Sequence, residues 1–328
     1  MNIPEQIREM LAAFSFRGNS KLRPAGAIVE YTQDMIDEYA KCKADPIYFI
    51  CNHCKTTNVD NGTTPLHLYE YQKKLIKSYV ENRKTVAMQP RQSGKTQCTA
   101  AFLLWYVTFN DSKTCAVLAN KAPIARETLS RVQFMYEELP KFLQQGVKTW
   151  NKGSIELENG SRILCAATSS SGLRGYSLSL IYLDEYAIIP NNVADDFITS
   201  MFPTISSGKE TKIIVSSTPL GYNHFHKLWN DAEKGINGFI PIRAHWWEHP
   251  NRDEEWSKEQ LRSLGELKYS QEVECLGGKS IVTIKDERGI VSSINLETLY
   301  NKYKYIVDNE EKEDDTAIYI PSRMERRK

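Results

Sequence analysis

The segment from Val86 to Thr96 constrains this chain most, because a short apolar run stops there in a turn that only a few folds can use. Thr85-Val-Ala-Met88 has the make-up of a buried strand. Gln97 to Val107 is apolar and free of glycine and proline, which predicts a helix. Between them lies Gln89-Pro-Arg-Gln-Ser-Gly-Lys-Thr96. Strand, loop and helix in that order aim backbone N–H groups at an anion where the helix begins, and the closing Gly94-Lys95-Thr96 adds an amine and a hydroxyl. The expected contacts are the loop residues Gln92, Ser93 and Gly94 around phosphate, Lys95 on the β and γ oxygens, and Thr96 on Mg²⁺. Gln89 stands where the usual pattern has its first glycine, so the motif departs from the strict form. An ordinary strand-turn-helix with a surface lysine is the competing reading, and the residues further along weigh against it.

Thr114-Cys-Ala-Val-Leu-Ala119 is continuously apolar, as strands buried on both faces are. Leu178 to Leu183 is a second such run and ends in Asp184-Glu185; Lys212 to Val215 is a third and ends in Ser216-Ser-Thr-Pro219. Behind a Gly-Lys-Thr loop, Asp184 is the expected Mg²⁺-shell carboxylate and Glu185 the group aimed at attacking water. The hydroxyls of Ser217 and Thr218 could sense the γ-phosphate. These elements predict an α/β fold: a P-loop NTPase core with a mainly parallel sheet, a small helical accessory subdomain and a small mostly-β C-terminal extension.

Upstream, Tyr71-Gln72 opens a helix running to about Tyr79, where the Gln72 amide could pair with adenine while Tyr71 stacks on it. A buried amphipathic helix accounts for the pair equally well. Ile3 to Phe14 and Tyr31 to Tyr39 have helical spacing. Cys51-Asn-His-Cys54 has the first half of a zinc-finger spacing without a second pair, so free thiols are the simpler expectation. Glu158-Asn-Gly160 signals a hairpin between strands within Trp150 to Ala167. Arg174 precedes Gly175 in a polar loop. Trp229, Trp246, Trp247 and Trp256 read as a packed subdomain or hinge rather than a base-stacking platform, and Glu254 to Leu267 as a charged amphipathic helix.

A net charge of +1 over 328 residues gives no argument from composition for or against nucleic acid. Seven scattered cysteines suit a reducing compartment, and no run is long and apolar enough to span a membrane, so a soluble intracellular protein is expected. Past Cys275 the character changes to Cys-Leu-Gly-Gly-Lys-Ser-Ile-Val-Thr-Ile284, a glycine turn at Gly289, and an acidic run from Asp308 to Asp315.

Arg91-Gln-Ser-Gly-Lys-Thr96, Tyr71-Gln72, Leu183-Asp-Glu185, Ser217-Thr-Pro219, the spacer from Trp150 to Ser161 and Asn223-His-Phe225 together resemble the packaging ATPase half of large terminase subunits from tailed phages, nearest the myovirus kind, over residues 65–274. In that family the loop commonly lacks its first glycine. The resemblance implies ATP hydrolysis that drives viral double-stranded DNA into a procapsid. It implies Arg91 as an arginine acting from the same subunit, Arg174 as one presented to a neighbour in a ring, and Ser217-Thr218 as the coupling motif. The implied partners are DNA, a portal protein and a small terminase subunit, and the implied location is the cytoplasm of an infected bacterial host. Complete members continue into a nuclease domain of ribonuclease H type, which is not expected among these residues.

The segment from Cys275 resembles the first block of an intein, with Cys275 as splicing nucleophile. No histidine follows His249, so an amide activator would have to come from a separate chain carrying the intein C-fragment and the nuclease domain. A truncated gene or a linker with an incidental cysteine is the rival. The expected divisions are therefore a helical accessory segment (1–64), the P-loop core (65–235), an accessory or hinge subdomain (236–274) and a split-intein N-fragment with a charged tail (275–328). Two functional alternatives stand beside the packaging motor: a superfamily-two helicase or translocase, which needs a second ATPase-like lobe, and an ATP-binding assembly module without turnover.

Overall fold

The computed structural model describes residues 15–58, 60–168, 175–194, 197, 210–275, 281–285, 291–295 and 298. The expected helix at Ile3 to Phe14, Arg174, the turn at Gly289 and the acidic run lie outside them. Among the described residues two helices come first, α1 (Gln33–Ala44) and α2 (Pro46–His53). Thr32 caps α1 by accepting from the Met35 N–H, and Asp45 caps α2 with Pro46 at its first turn. A small antiparallel ribbon, β1 (Lys55–Asn58) and β2 (Gly62–Pro65), precedes α3 (Glu70–Glu81).

The main unit then alternates: β3 (Lys84–Met88), α4 (Lys95–Phe109), β4 (Thr114–Ala119), α5 (Ala122–Glu137), β5 (Val147–Trp150), β6 (Ser154–Leu157), β7 (Arg162–Ala167), β8 (Leu180–Asp184), β9 (Lys212–Ser217), α6 (His224–Glu233) and β10 (Ile240–Arg243). Eight strands form one sheet in the order β10-β3-β9-β8-β4-β7-β6-β5. The pairings from β10 through to β7 are parallel; β6 and β5 add an antiparallel margin. The mainly parallel α/β expectation holds. Pro241, which lacks an N–H, is tolerated in β10 because that strand is an edge.

Continuous apolar strands divide their side chains between two cores. Ala87, Cys115, Val117, Ala119, Tyr182 and Ile214 face the side covered by α1 to α5, while Val86, Met88, Ala116, Leu118, Leu183 and Val215 face Phe225, Trp229 and Ala232 of α6. Helix α4 is buried nearly all round, which explains why its sequence has no polar stripe. Its far side meets the N-terminal helices: Phe49 and Tyr39 each pack edge-on against Phe109, with centroids 5.1 Å apart, and the Trp105 indole donates to the Cys42 carbonyl. The Asn-Gly turn joins β6 to β7, with Gly160 at φ 79° and the Asn159 amide donating to the Val107 carbonyl.

After the sheet, α7 (Glu254–Leu264) starts at an Asp253 cap and ends three residues before the expected Leu267, because Gly265 turns the chain at φ 73°. A short helix, α8 (Glu266–Tyr269), and a π-helical turn (Ser270–Glu274) follow. Trp246, Tyr269 and Val273 form a third small core with Trp256 against it, so these tryptophans pack; Trp247 is half exposed. Beyond Cys275, β11 (Ile281–Lys285) pairs antiparallel with β12 (Val291–Asn295). Among the described residues, no helix is long and apolar enough to cross a membrane.

Candidate functional site

Strands β3, β9 and β8 lie side by side, so their C-terminal ends gather the loop after Met88, Ser217, and Asp184 at one edge of the sheet. Register makes the juxtaposition specific: Met88 is level with Ser217, and Asp184 with Ser216.

The loop from Gln89 to Gly94 is held by its neighbours at every turn. Gln89 is fully buried; its backbone N–H donates to Ser217 O, and its side-chain oxygen accepts from the Ser93 hydroxyl at 3.2 Å. A glutamine in place of the first glycine thus braces the loop from within. Gln92 (φ 57°) and Gly94 (φ 78°) take the left-handed turns that reverse the chain into α4. The Ser93 carbonyl accepts from the Tyr71 hydroxyl at 2.7 Å and the Gln72 amide at 3.0 Å, while the Gln72 oxygen accepts from the Tyr69 N–H at 2.9 Å. The structure therefore places Tyr71 and Gln72 buried beneath the loop, with both polar ends of Gln72 engaged by protein.

Lys95, the first residue of α4, is buried and reaches Glu185, with Nζ 2.6 Å from Oε1. Thr96 donates to Asp184 Oδ2 at 3.4 Å, as does Thr128 of α5. The other Asp184 oxygen accepts from the Ser216 hydroxyl at 3.2 Å and the Glu185 N–H at 3.0 Å. Burial pushes the Asp184 carboxyl up from its ordinary range, the Glu185 charge adds to the rise, and Lys95 opposes it. Glu185 sits in the left-handed region at φ 50°, the conformation that lifts its carboxylate off the strand towards the loop. Ser217 donates to the Thr218 carbonyl and accepts from the Ala187 N–H, linking β9 to the turn after Glu185.

Arg91 points away from this cluster. Its Nε lies 2.6 Å from a Glu272 carboxylate oxygen, and its backbone N–H donates to the Glu272 carbonyl. Arg252 donates to the carbonyls of both Arg91 and Gln92 while its guanidinium lies over Trp256. Thr128, Arg252 and Glu272 were not legible as site residues: each reaches the site across a long stretch of sequence, with no local motif around it. Cys275 is fully buried at φ 51°. Its thiol is pushed up to about 12 by burial, and Arg243 donates to the Cys275 carbonyl at 2.5 Å and the Glu274 carbonyl at 3.3 Å. Among the described residues the Cys51/Cys54 pair joins no group of three possible metal donors. Cys51 lies on α2 and Cys54 caps it, both as free thiols.

Solved structures of similar fold include phage terminases. The large terminase of bacteriophage HK97 superposes with a TM-score of 0.60 at 16% identity, covering 80% of this chain and 70% of that one. The ATPase domain of the Thermus phage P74-26 large terminase gives 0.53 at 22% identity, covering 65% and 94%. The large terminase of another thermophilic bacteriophage, in complex with ATP-γ-S, gives 0.51 at 11% identity, covering 74% and 75%. At these identities the likeness establishes the fold. The family described as "Terminase large subunit, T4likevirus-type, N-terminal" matches residues 86–286, more than half of the chain, and to that family of terminase large subunits this protein belongs.

Proposed function

We propose that this chain is the ATP-hydrolysing motor of viral DNA packaging, translocating double-stranded DNA into a procapsid. The observation that carries the reading is the convergence of Lys95, Glu185, Asp184 and Thr96 at the ends of β3 and β8, beside a loop whose backbone turns into a helix N-terminus. The thermophilic phage terminase solved with ATP-γ-S supports ATP as the nucleotide. Nucleotide binding would exchange the Lys95–Glu185 ion pair for a Lys95–phosphate pair, and the released Glu185 then orients a water molecule.

The Thr96 hydroxyl and Asp184 carboxylate are hard oxygen donors already within 3.4 Å of each other and fit Mg²⁺; that ion, when bound, offsets phosphate charge. Arg91 would leave Glu272 to reach the transferring phosphoryl group, and Arg174 would act on a neighbouring subunit of a ring. The adenine role of Tyr71 and Gln72 requires them to let go of Ser93. DNA, a portal protein and a small terminase subunit are the proposed partners, in the cytoplasm of an infected bacterium. The assigning experiment is ATP hydrolysis by the chain with and without double-stranded DNA. DNA-stimulated turnover that Lys95→Ala abolishes supports the motor; tight nucleotide binding without turnover under any of these conditions returns the assembly-module reading, and strand separation returns the helicase.

Protein trans-splicing through Cys275 is a second proposal, favoured by the antiparallel β11–β12 pair that begins at Ile281. Cys275 Sγ would attack the Glu274 carbonyl carbon, forming the thioester C–S bond as the amide C–N bond breaks, and the thiol proton, relayed by an activator on the incoming fragment, would end on the freed Cys275 amine. The buried, protonated thiol has to be exposed first, and the family match runs past Cys275 to residue 286. Intact mass after co-expression with a chain carrying a candidate intein C-fragment decides: loss of the segment after Glu274, prevented by Cys275→Ala, supports splicing, and an unchanged mass rejects it.

A further inference from the structure

Outside the phosphate site, one cluster of chemically active side chains joins the two N-terminal helices. Glu38 and Cys42 stand one turn apart on α1, and His53 is the last residue of α2. His53 Nε2 is 2.7 Å from Glu38 Oε1, and Cys42 Sγ is 3.8 Å from the same oxygen. All three donor atoms lie within 4.8 Å of one another. We propose that Glu38, Cys42 and His53 form a binding site for a zinc-class divalent cation that fastens α1 to α2 beneath α4.

The geometry is close to what such an ion needs. Bonds of about 2.0–2.3 Å in a tetrahedron place neighbouring donors roughly 3.3–3.8 Å apart, so seating the ion asks for shifts of under about 1 Å. Sulfur, imidazole nitrogen and carboxylate oxygen together select zinc-like ions over Mg²⁺ or Ca²⁺. The second Glu38 oxygen accepts from the Tyr48 hydroxyl at 3.0 Å, the kind of outer contact that orients a ligating carboxylate. Cys42 is fully buried, whereas the His53 and Glu38 side chains are 14% and 23% exposed, which leaves a way in and a place for water as fourth ligand.

The charges also close. On binding, the Cys42 thiol loses its proton to solvent as the sulfur–metal bond forms, His53 binds through the Nε2 lone pair with its proton on Nδ1, and Glu38 binds as the carboxylate. One thiolate and one carboxylate neutralise the divalent ion, so no net charge is left beside the core. The Cys42 carbonyl accepts from the Trp105 indole and Phe49 packs on Phe109, so an ion here would fasten the surface on which α4 rests. Helix α4 begins with Lys95.

The test is cobalt titration of the metal-free full chain followed by zinc. Expected are one Co²⁺ per chain, a thiolate-to-cobalt charge-transfer band with tetrahedral ligand-field absorption, and displacement by Zn²⁺. Cys42→Ser should remove the band and weaken binding at least about tenfold, His53→Gln should weaken it similarly, and Cys51→Ser should leave both unchanged. No charge-transfer band in the wild-type chain, an undiminished band in Cys42→Ser, or its loss in Cys51→Ser overturns the proposal. The wild-type spectrum alone reports sulfur ligation, so a variant that fails to fold does not obscure the answer.

Discussion

The Ser93 carbonyl is the point from which the phosphate loop is suspended, and that has a measurable consequence. Two donors share this one buried acceptor, Tyr71 Oη at 2.7 Å and Gln72 Nε2 at 3.0 Å. Tyr71→Phe removes one donor but leaves the acceptor satisfied, so it should cost about 0.5–1 kcal/mol. Gln72→Ala removes the other donor together with the reciprocal contact to the Tyr69 N–H, a cost of about 1–2 kcal/mol. In the double variant the carbonyl loses both partners while still buried, which adds a desolvation penalty of about 1–3 kcal/mol absent from either single change. The double variant should therefore be less stable than the sum of the singles by at least about 1 kcal/mol. Urea unfolding followed by tryptophan fluorescence and by circular dichroism reads this out, with coincident transitions as the condition for comparing midpoints. Additivity to within about 0.5 kcal/mol would refute the shared-acceptor argument, because independent sites behave that way.

Other consequences follow from the same site. Gly94→Ala puts a side chain at φ 78° and a Cβ 2.6 Å from the Gln72 amide nitrogen, so it should destabilise by about 1–3 kcal/mol and weaken nucleotide binding; a thermal melt and a binding titration check both. Asp184 has a raised pKa in the folded state, so the native chain holds more protons than the unfolded chain between the two values, and that contribution to stability falls as pH rises through the window. Asp184→Asn should accordingly flatten that part of the stability–pH profile and raise the melting temperature at neutral pH while impairing hydrolysis; an unchanged profile would contradict the stated cause.

Much of the site was legible because each strand end announces itself. A buried parallel strand cannot alternate polar and apolar residues, so Thr114 to Ala119, Leu178 to Leu183 and Lys212 to Val215 stand out, and the polar residues that stop the last two are ones that line the site. Other features had no such signal. Strand β10 is four residues long and contains Pro241, so its sequence reads as connection until the edge position is known. Gln72 carries the same residue type whether its amide meets adenine or a loop carbonyl, and only the approach of Ser93 to α3 shows where it is engaged here. The same holds for Arg252 and Glu272, whose contacts with Arg91 arise when the segment before α7 and the π turn come up to the loop. His53 drew attention through its cysteine neighbours, yet its hydrogen-bond partner is Glu38 on the preceding helix, with Cys42 on the same Glu38 oxygen, a spacing that matches no linear pattern.

The central claim rests on Glu185 as the group that positions water while Lys95 and the loop bind nucleotide. The most direct measurement is paired: equilibrium binding of a non-hydrolysable ATP analogue and steady-state phosphate release, for the wild-type chain and Glu185→Gln in the presence of double-stranded DNA. Because the carboxylate competes with phosphate for Lys95 at 2.6 Å, the variant is expected to bind the analogue at least as tightly as the wild type. Its turnover is expected to fall by about a hundredfold or more, the scale of a lost general-base contribution. Phosphate release by Glu185→Gln at the wild-type rate would contradict the assignment of this carboxylate and with it the catalytic reading of the site.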